Sequence, residues 1–175
     1  MKGIIFIFSV FLCFISCKKE ETYTKTKTTE KYKVVITYKG NQPIRSISYD
    51  KITNKRKFDY QYNVNGKMTI ATKYYLNGKI HSKLKLYSLP DVYFCKEYYP
   101  NGVLAGEGNA IFLYRNKILK TGSWIVYKKD GSVYAFAEYI ADIKNEEQLL
   151  IKKQIIPNDI HLVNKGGKLI DTNAE

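Results

Sequence analysis

Apolar and polar residues alternate along this chain in short runs, and turn-forming residues interrupt them about every dozen positions: Lys39-Gly40-Asn41, Thr53-Asn54-Lys55, Asn65-Gly66, Asn77-Gly78, Leu89-Pro90-Asp91, Asn101-Gly102, Arg115-Asn116-Lys117 and Asp130-Gly131. Alternation between evenly spaced turns predicts an antiparallel meander of hairpins. The clearest hairpin runs from Lys96 to Gly108, K-E-Y-Y-P-N-G-V-L-A-G-E-G. Pro100-Asn101-Gly102 suits a three-residue loop, a type I turn closed by a left-handed glycine. In that geometry the residue four before the glycine faces the residue two after it, here Tyr98 and Leu104. The same pair recurs as Tyr62 and Met68 around Gly66, Tyr74 and Ile80 around Gly78, Tyr127 and Val133 around Gly131, and Val163 and Leu169 around Gly167. A fixed offset from successive glycines makes these units repeats. Gly78 and Gly102, 24 residues apart, fall on one rim of the meander. The step from Gly102 to Gly131 is 29, and the extra residues are expected in an enlarged loop near Arg115 to Thr121, with Gly122-Ser123-Trp124 resuming the strand.

Counting alternate residues from the turn pairs assigns the faces. The expected core face collects Phe58, Tyr60 and Tyr62; Met68, Ile70 and Tyr74; Ile80, Leu84 and Leu86; Val92, Phe94 and Tyr98; Leu104, Ala110 and Phe112; Ile125 and Tyr127; Val133, Ala135 and Tyr139. So wide an apolar face must curl over itself or be covered, and Gly106, Gly108, Ala135 and Ala137 are where curvature is accommodated. Beyond Tyr139 the pattern changes. Asn145-Glu146-Glu147-Gln148 reads as a helix N-cap with Gln in the capping-box position, and Leu149 to Ile156 fits a short helix or another strand. Strands throughout are the expectation, giving an all-β fold.

The N-terminus carries a different signal. Lys2 precedes an apolar run from Ile4 to Ile15, too short to span a bilayer as a helix and followed by charge, the pattern of a secretion signal. Its end, Phe14-Ile15-Ser16-Cys17, resembles a bacterial lipobox, in which Cys17 becomes the lipidated first residue. Residues 1–16 are thus expected to be a signal peptide, 17–31 the lipidated cysteine and a polar tether, and 32–175 one domain. That arrangement implies a cell-envelope protein anchored to a membrane, the outer membrane being favoured because no Asp follows the cysteine. Lipidation of Cys17 leaves Cys95 as the one remaining thiol besides Cys13 of the signal, which excludes a disulfide in the mature chain.

Charge changes the picture further. The chain carries 29 Lys and Arg against 16 Asp and Glu, and residues 31–90 alone hold 13 basic residues and two acids. By the same register Lys67, Lys73, Lys79, Lys83 and Lys85 fall opposite the core with Tyr75, His81 and Tyr87 among them. Lysines flanked by aromatic rings suit an anionic ligand. In an envelope protein the candidates are lipid headgroups, an acidic polysaccharide or an acidic protein, and nucleic acid is not expected.

Catalytic patterns are sparse. His81 and His161 have no Asp, Ser or Glu at triad or metal-ligand spacing. Glu97 and Glu107 face away from the core on neighbouring strands of one hairpin and form the one candidate carboxylate pair. Cys95 and Trp124 read as packing residues, and no motif asks for a cofactor.

The Tyr-x-Asn-Gly-x-Leu/Ile units, the Gly-x-Trp-x-x-Tyr-x-x-Asp-Gly unit from Gly122 to Gly131 and the period near 24 resemble the variant MORN repeat of bacterial proteins, the type often labelled YwqK-family antitoxin. The resemblance covers roughly Tyr60 to Tyr139. It implies a repeat sheet used for binding, with no catalytic residues. The expected function is a lipid-anchored binding or scaffolding module whose basic face meets an anionic partner; an antitoxin or immunity protein that sequesters a toxin is the alternative.

Overall fold

Tyr, Ile and Thr recur in the segments between turns, and β-branched and aromatic side chains favour extended backbone. The computed structural model describes residues 21–88, 91–113, 116–156, 163–165 and 168–170. Its strands are β1 (Thr22–Thr28), β2 (Tyr32–Lys39), β3 (Gln42–Asp50), β4 (Arg56–Tyr62), β5 (Met68–Tyr74), β6 (Ile80–Ser88), β7 (Val92–Tyr98), β8 (Leu104–Leu113), β9 (Lys117–Tyr127), β10 (Val133–Asp142), β11 (Glu147–Ile155), β12 (Val163–Lys165) and β13 (Lys168–Ile170). The first eleven form one antiparallel sheet in sequence order, and the last two pair with each other. Cys17, His161 and Gly167 lie outside the described residues.

One transverse row fixes the register of the large sheet. Lys25, Ile36, Ser46, Tyr60, Ala71, Leu84, Cys95, Gly108, Trp124, Ala137 and Lys153 are successive cross-strand partners, one from each strand. Cross-strand partners share a face, so this row marks the inner face. Its middle is the core: Leu84, Cys95 and Trp124 are at most 1% exposed, while lysines stand at both sheet edges. Flat strands lie about 4.8 Å apart, which would separate β4 from β8 by roughly 19 Å. The Tyr60 ring nevertheless lies 6.1 Å from that of Phe112, and its hydroxyl donates to Asn116 Oδ1 at 2.5 Å. The sheet therefore curls over its inner face, and the tip of the β8–β9 hairpin closes upon β4.

The repeated turns form as their sequences dictate. In the hairpin around Gly102, the Tyr99 amide donates to the Val103 carbonyl and the Gly102 amide to the Tyr99 carbonyl, and the same two bonds recur around Gly66, Gly78 and Gly131. All four glycines have positive φ, from 74° to 94°, where a side chain is strained. Tyr62–Met68, Tyr74–Ile80, Tyr98–Leu104 and Tyr127–Val133 are paired as expected. Val163 instead pairs with Ile170, and Leu169 with Asn164.

What the turn pairs do not transmit is parity. Inward of Tyr98–Leu104 the next pair is Glu97 with Gly106, so Ala105 is an extra residue; Thr69, His81 and Tyr134 occupy equivalent bulges in the other three hairpins. A bulge shifts one strand by one residue. The core residues are consequently Ala71 rather than Ile70, Tyr93 and Cys95 rather than Val92 and Phe94, and Trp124 rather than Ile125.

Other expectations are also corrected. The residues beyond the 24-residue period lengthen β8 and β9 instead of enlarging a loop, since β9 already begins at Lys117. Gly122-Ser123-Trp124 lies within that strand, next to a bulge where Gly122 has a positive φ. Residues 147–155, which fitted a helix or a strand, form the strand that the all-β expectation favours. Thr22–Thr28, expected to be tether, pairs along its full length with β2 as an exposed edge strand, with the Tyr23 and Tyr38 rings stacked 5.2 Å apart. Alternating Thr and Lys explain this: Thr favours extended backbone, and lysines keep an edge from recruiting other strands.

Second tyrosines join the repeats. The Tyr75 hydroxyl donates to the Tyr98 carbonyl, and the Tyr99 hydroxyl to the Tyr127 carbonyl, both at 2.7 Å. Asn77 Nδ2 donates to the Pro100 carbonyl and Lys79 Nζ to the Asn101 carbonyl, tying adjacent turns of one rim together.

Candidate binding surface

Bulges distribute the expected basic residues over different parts of the molecule. Lys83 and Lys85 project from the exposed outer face of β6, and Tyr87, 73% exposed, follows at its end. Lys73 pairs in register with Ser82 on the inner face. Lys67 forms an ion pair with Asp91 at 3.3 Å and lies beside Tyr60, Tyr62 and Met68. Lys79 is held at the turn rim by Asn101. Tyr75 covers His81, with ring centroids 4.6 Å apart. The eight residues therefore do not form one basic face.

The outer face has its own transverse row: Thr72, Lys83, Lys96, Glu107, Ile125, Phe136 and Gln154 on β5 to β11. Beside it, Lys85 stands across from Phe94, and Glu138 across from Lys152. Lys83 directly opposes Lys96, an arrangement that costs stability between like charges. Lys96 has an acceptor in Glu107 Oε2 at 2.9 Å, whereas Lys83 and Lys85 make no ion pair among the described residues. Toward β11 the face becomes a groove of about 580 Å³ with Phe94, Ile125 and Phe136 on its floor and Lys96, Glu107, Glu138 and Lys152 around it. Alternation counted from the turns assigns Phe94 and Ile125 to the core; they do keep the alternation of Tyr98 and Tyr127, but those tyrosines stand on the outer face, and the extra residue after each turn carries only β8 and β10 over to the core.

Glu107 is held ionised. Burial opposes its charge, but the hydrogen bond from the Tyr127 hydroxyl at 2.7 Å and the contact with Lys96 outweigh that effect and lower its pKa below the usual value. Glu97, its neighbour across the hairpin, pairs with Gly106 on the inner face and binds Lys120 Nζ at 2.7 Å. The two carboxylates thus stand on opposite faces and cannot act as a pair on one substrate. Lys120 also lies 4.3 Å from the Trp124 ring centroid, completing a Glu97–Lys120–Trp124 stack. Among the described residues, no group of three or more His, Cys, Asp or Glu is placed to hold a metal ion.

No family model and no curated protein matches the chain.

Proposed function

We propose that this protein is a binding or scaffolding module of a bacterial cell envelope, held to the outer membrane by lipid on Cys17, with a variant-MORN repeat sheet as its recognition element and no catalytic role. Support comes from the lipobox-like Phe14-Ile15-Ser16-Cys17, the repeated Tyr-x-Asn-Gly units and the chemistry of the outer face. The observation that carries the reading is the juxtaposition of Lys83 with Lys96, beside Lys85 and the exposed Phe94. Clustered ammonium groups that weaken the fold gain a counter-charge when an anionic partner binds. The partner is an anionic headgroup, an acidic polysaccharide or an acidic protein surface.

The test is retention of the full chain, in detergent micelles, on a resin carrying immobilised phosphoglycerol headgroups and on an acidic polysaccharide resin. Lys83→Glu/Lys85→Glu should abolish retention, and added salt should weaken it. Retention equal to the parent's would overturn the surface assignment. For the anchor, acyl-chain labelling should be lost in Cys17→Ala; retained label would overturn lipidation at that residue.

A further inference from the structure

On the opposite face, and independently of the outer surface, an open pocket of about 490 Å³ lies among Lys73, His81, Glu97, Asn116, Lys117 and Glu146. We infer that it binds a small organic acid through a single carboxylate. A polar atom of its lining is unusual: His81 Nδ1 is buried with no hydrogen-bond partner in the protein, and so is Oγ of the next residue, the fully buried Ser82. Buried polar atoms nearly always have partners, so two adjacent exceptions call for an explanation.

Charge selects the ligand. Glu97 is neutralised by Lys120 at 2.7 Å, and Glu146 faces Lys117 at 3.6 Å. Lys73 makes no ion pair among the described residues and is left as the unbalanced charge. Asn116 uses Oδ1 to accept from Tyr60, which leaves its amide N–H groups as donors. An ammonium, an amide and an imidazole together suit one carboxylate. A dianion would meet Glu97 and Glu146, whereas a hydroxyl on a monoanion gives those carboxylates a donor. His81 itself is held neutral by burial and by Lys73, with Glu97 opposing them.

The full chain in detergent micelles is titrated with glycolate, acetate and inorganic phosphate while the imidazole signals are followed by NMR, His81 being assigned with His81→Gln. Glycolate should move the His81 signals saturably and raise the pH at which the ring protonates, through the carboxylate placed among Lys73, Glu97, Lys117 and Glu146. Lys73→Met should weaken glycolate binding about tenfold or more, Lys73→Arg should retain it, and Lys129→Met at the exposed turn before Gly131 should leave it unchanged. Asn116→Ala gives a second loss variant should Lys73→Met fail to fold. An absence of saturable shifts, or equal affinity in the folded loss variant, would overturn the site. Tighter binding of phosphate than of either carboxylate would overturn the ligand class.

Discussion

The indole of Trp124 lies so close over the backbone of Gly108 that a methyl group on residue 108 would sit 2.5 Å from its Cγ. Ser123 O would lie 2.7 Å from the same methyl, so backbone as well as the ring must yield. Gly108→Ala is expected to cost about 1–3 kcal/mol through overpacking, and Trp124→Ala about 3–5 kcal/mol through the cavity it leaves. Urea unfolding with an unchanged slope measures both losses. A neutral Gly108→Ala would show that the indole moves freely, contrary to its 1% exposure and its hydrogen bond to Asn109 O.

Tyr99→Phe removes a hydroxyl donor to the next repeat while keeping the ring. The expected loss is about 1 kcal/mol, the net worth of a hydrogen bond, provided the Tyr127 carbonyl finds water. Tyr75→Phe should behave alike, because it breaks the equivalent bond to Tyr98. Thermal denaturation of the two variants checks whether the joints are equivalent.

Acid should expose the contribution of Glu107. Its folded pKa lies below the usual glutamate value, so the stability it supplies is present in full above the unfolded carboxyl's value and is lost as pH falls through the lower folded value. The stability gap between parent and Glu107→Gln should therefore be constant near neutrality and close in acid. A gap that persists at the lowest pH would assign the effect to packing instead of charge.

Cys95 should resist alkylation in the folded protein. Desolvation, aided by Glu97 and opposed by Lys120, pushes its thiol up to about 12, and it is 0% exposed. Only the thiolate reacts. Iodoacetamide labelling at mildly alkaline pH should be slow until denaturant is added; fast labelling of the native chain would show that β7 opens locally.

The sequence displayed its turns more plainly than its faces. Tyr98 and Leu104 could be paired from Gly102 alone because a three-residue loop is a local object whose geometry follows from Pro, Asn and Gly. Ala105 carries no mark of being an extra residue, yet it changes the parity of β7 relative to β8. An equally silent extra residue, His81 in β6, separates the expected basic face from the observed one: it and Lys73 border the inner pocket while Lys83 and Lys85 remain outside. Phe94 was legible as apolar but not as groove floor. Thr22–Thr28 looked like tether because it has no core face to advertise, and its order depends on main-chain pairing with β2.

The two tyrosine joints end on main-chain carbonyls, not on side chains. A carbonyl is present at every residue, so the receiving unit needs no matching residue to accept the bond. Its sequence is free to drift, as Tyr98 and Tyr127 do in their surroundings, without loosening the joint. Duplication or loss of a hairpin pair would likewise leave the donor facing an acceptor, so this architecture can change its number of repeats without first inventing a new interface.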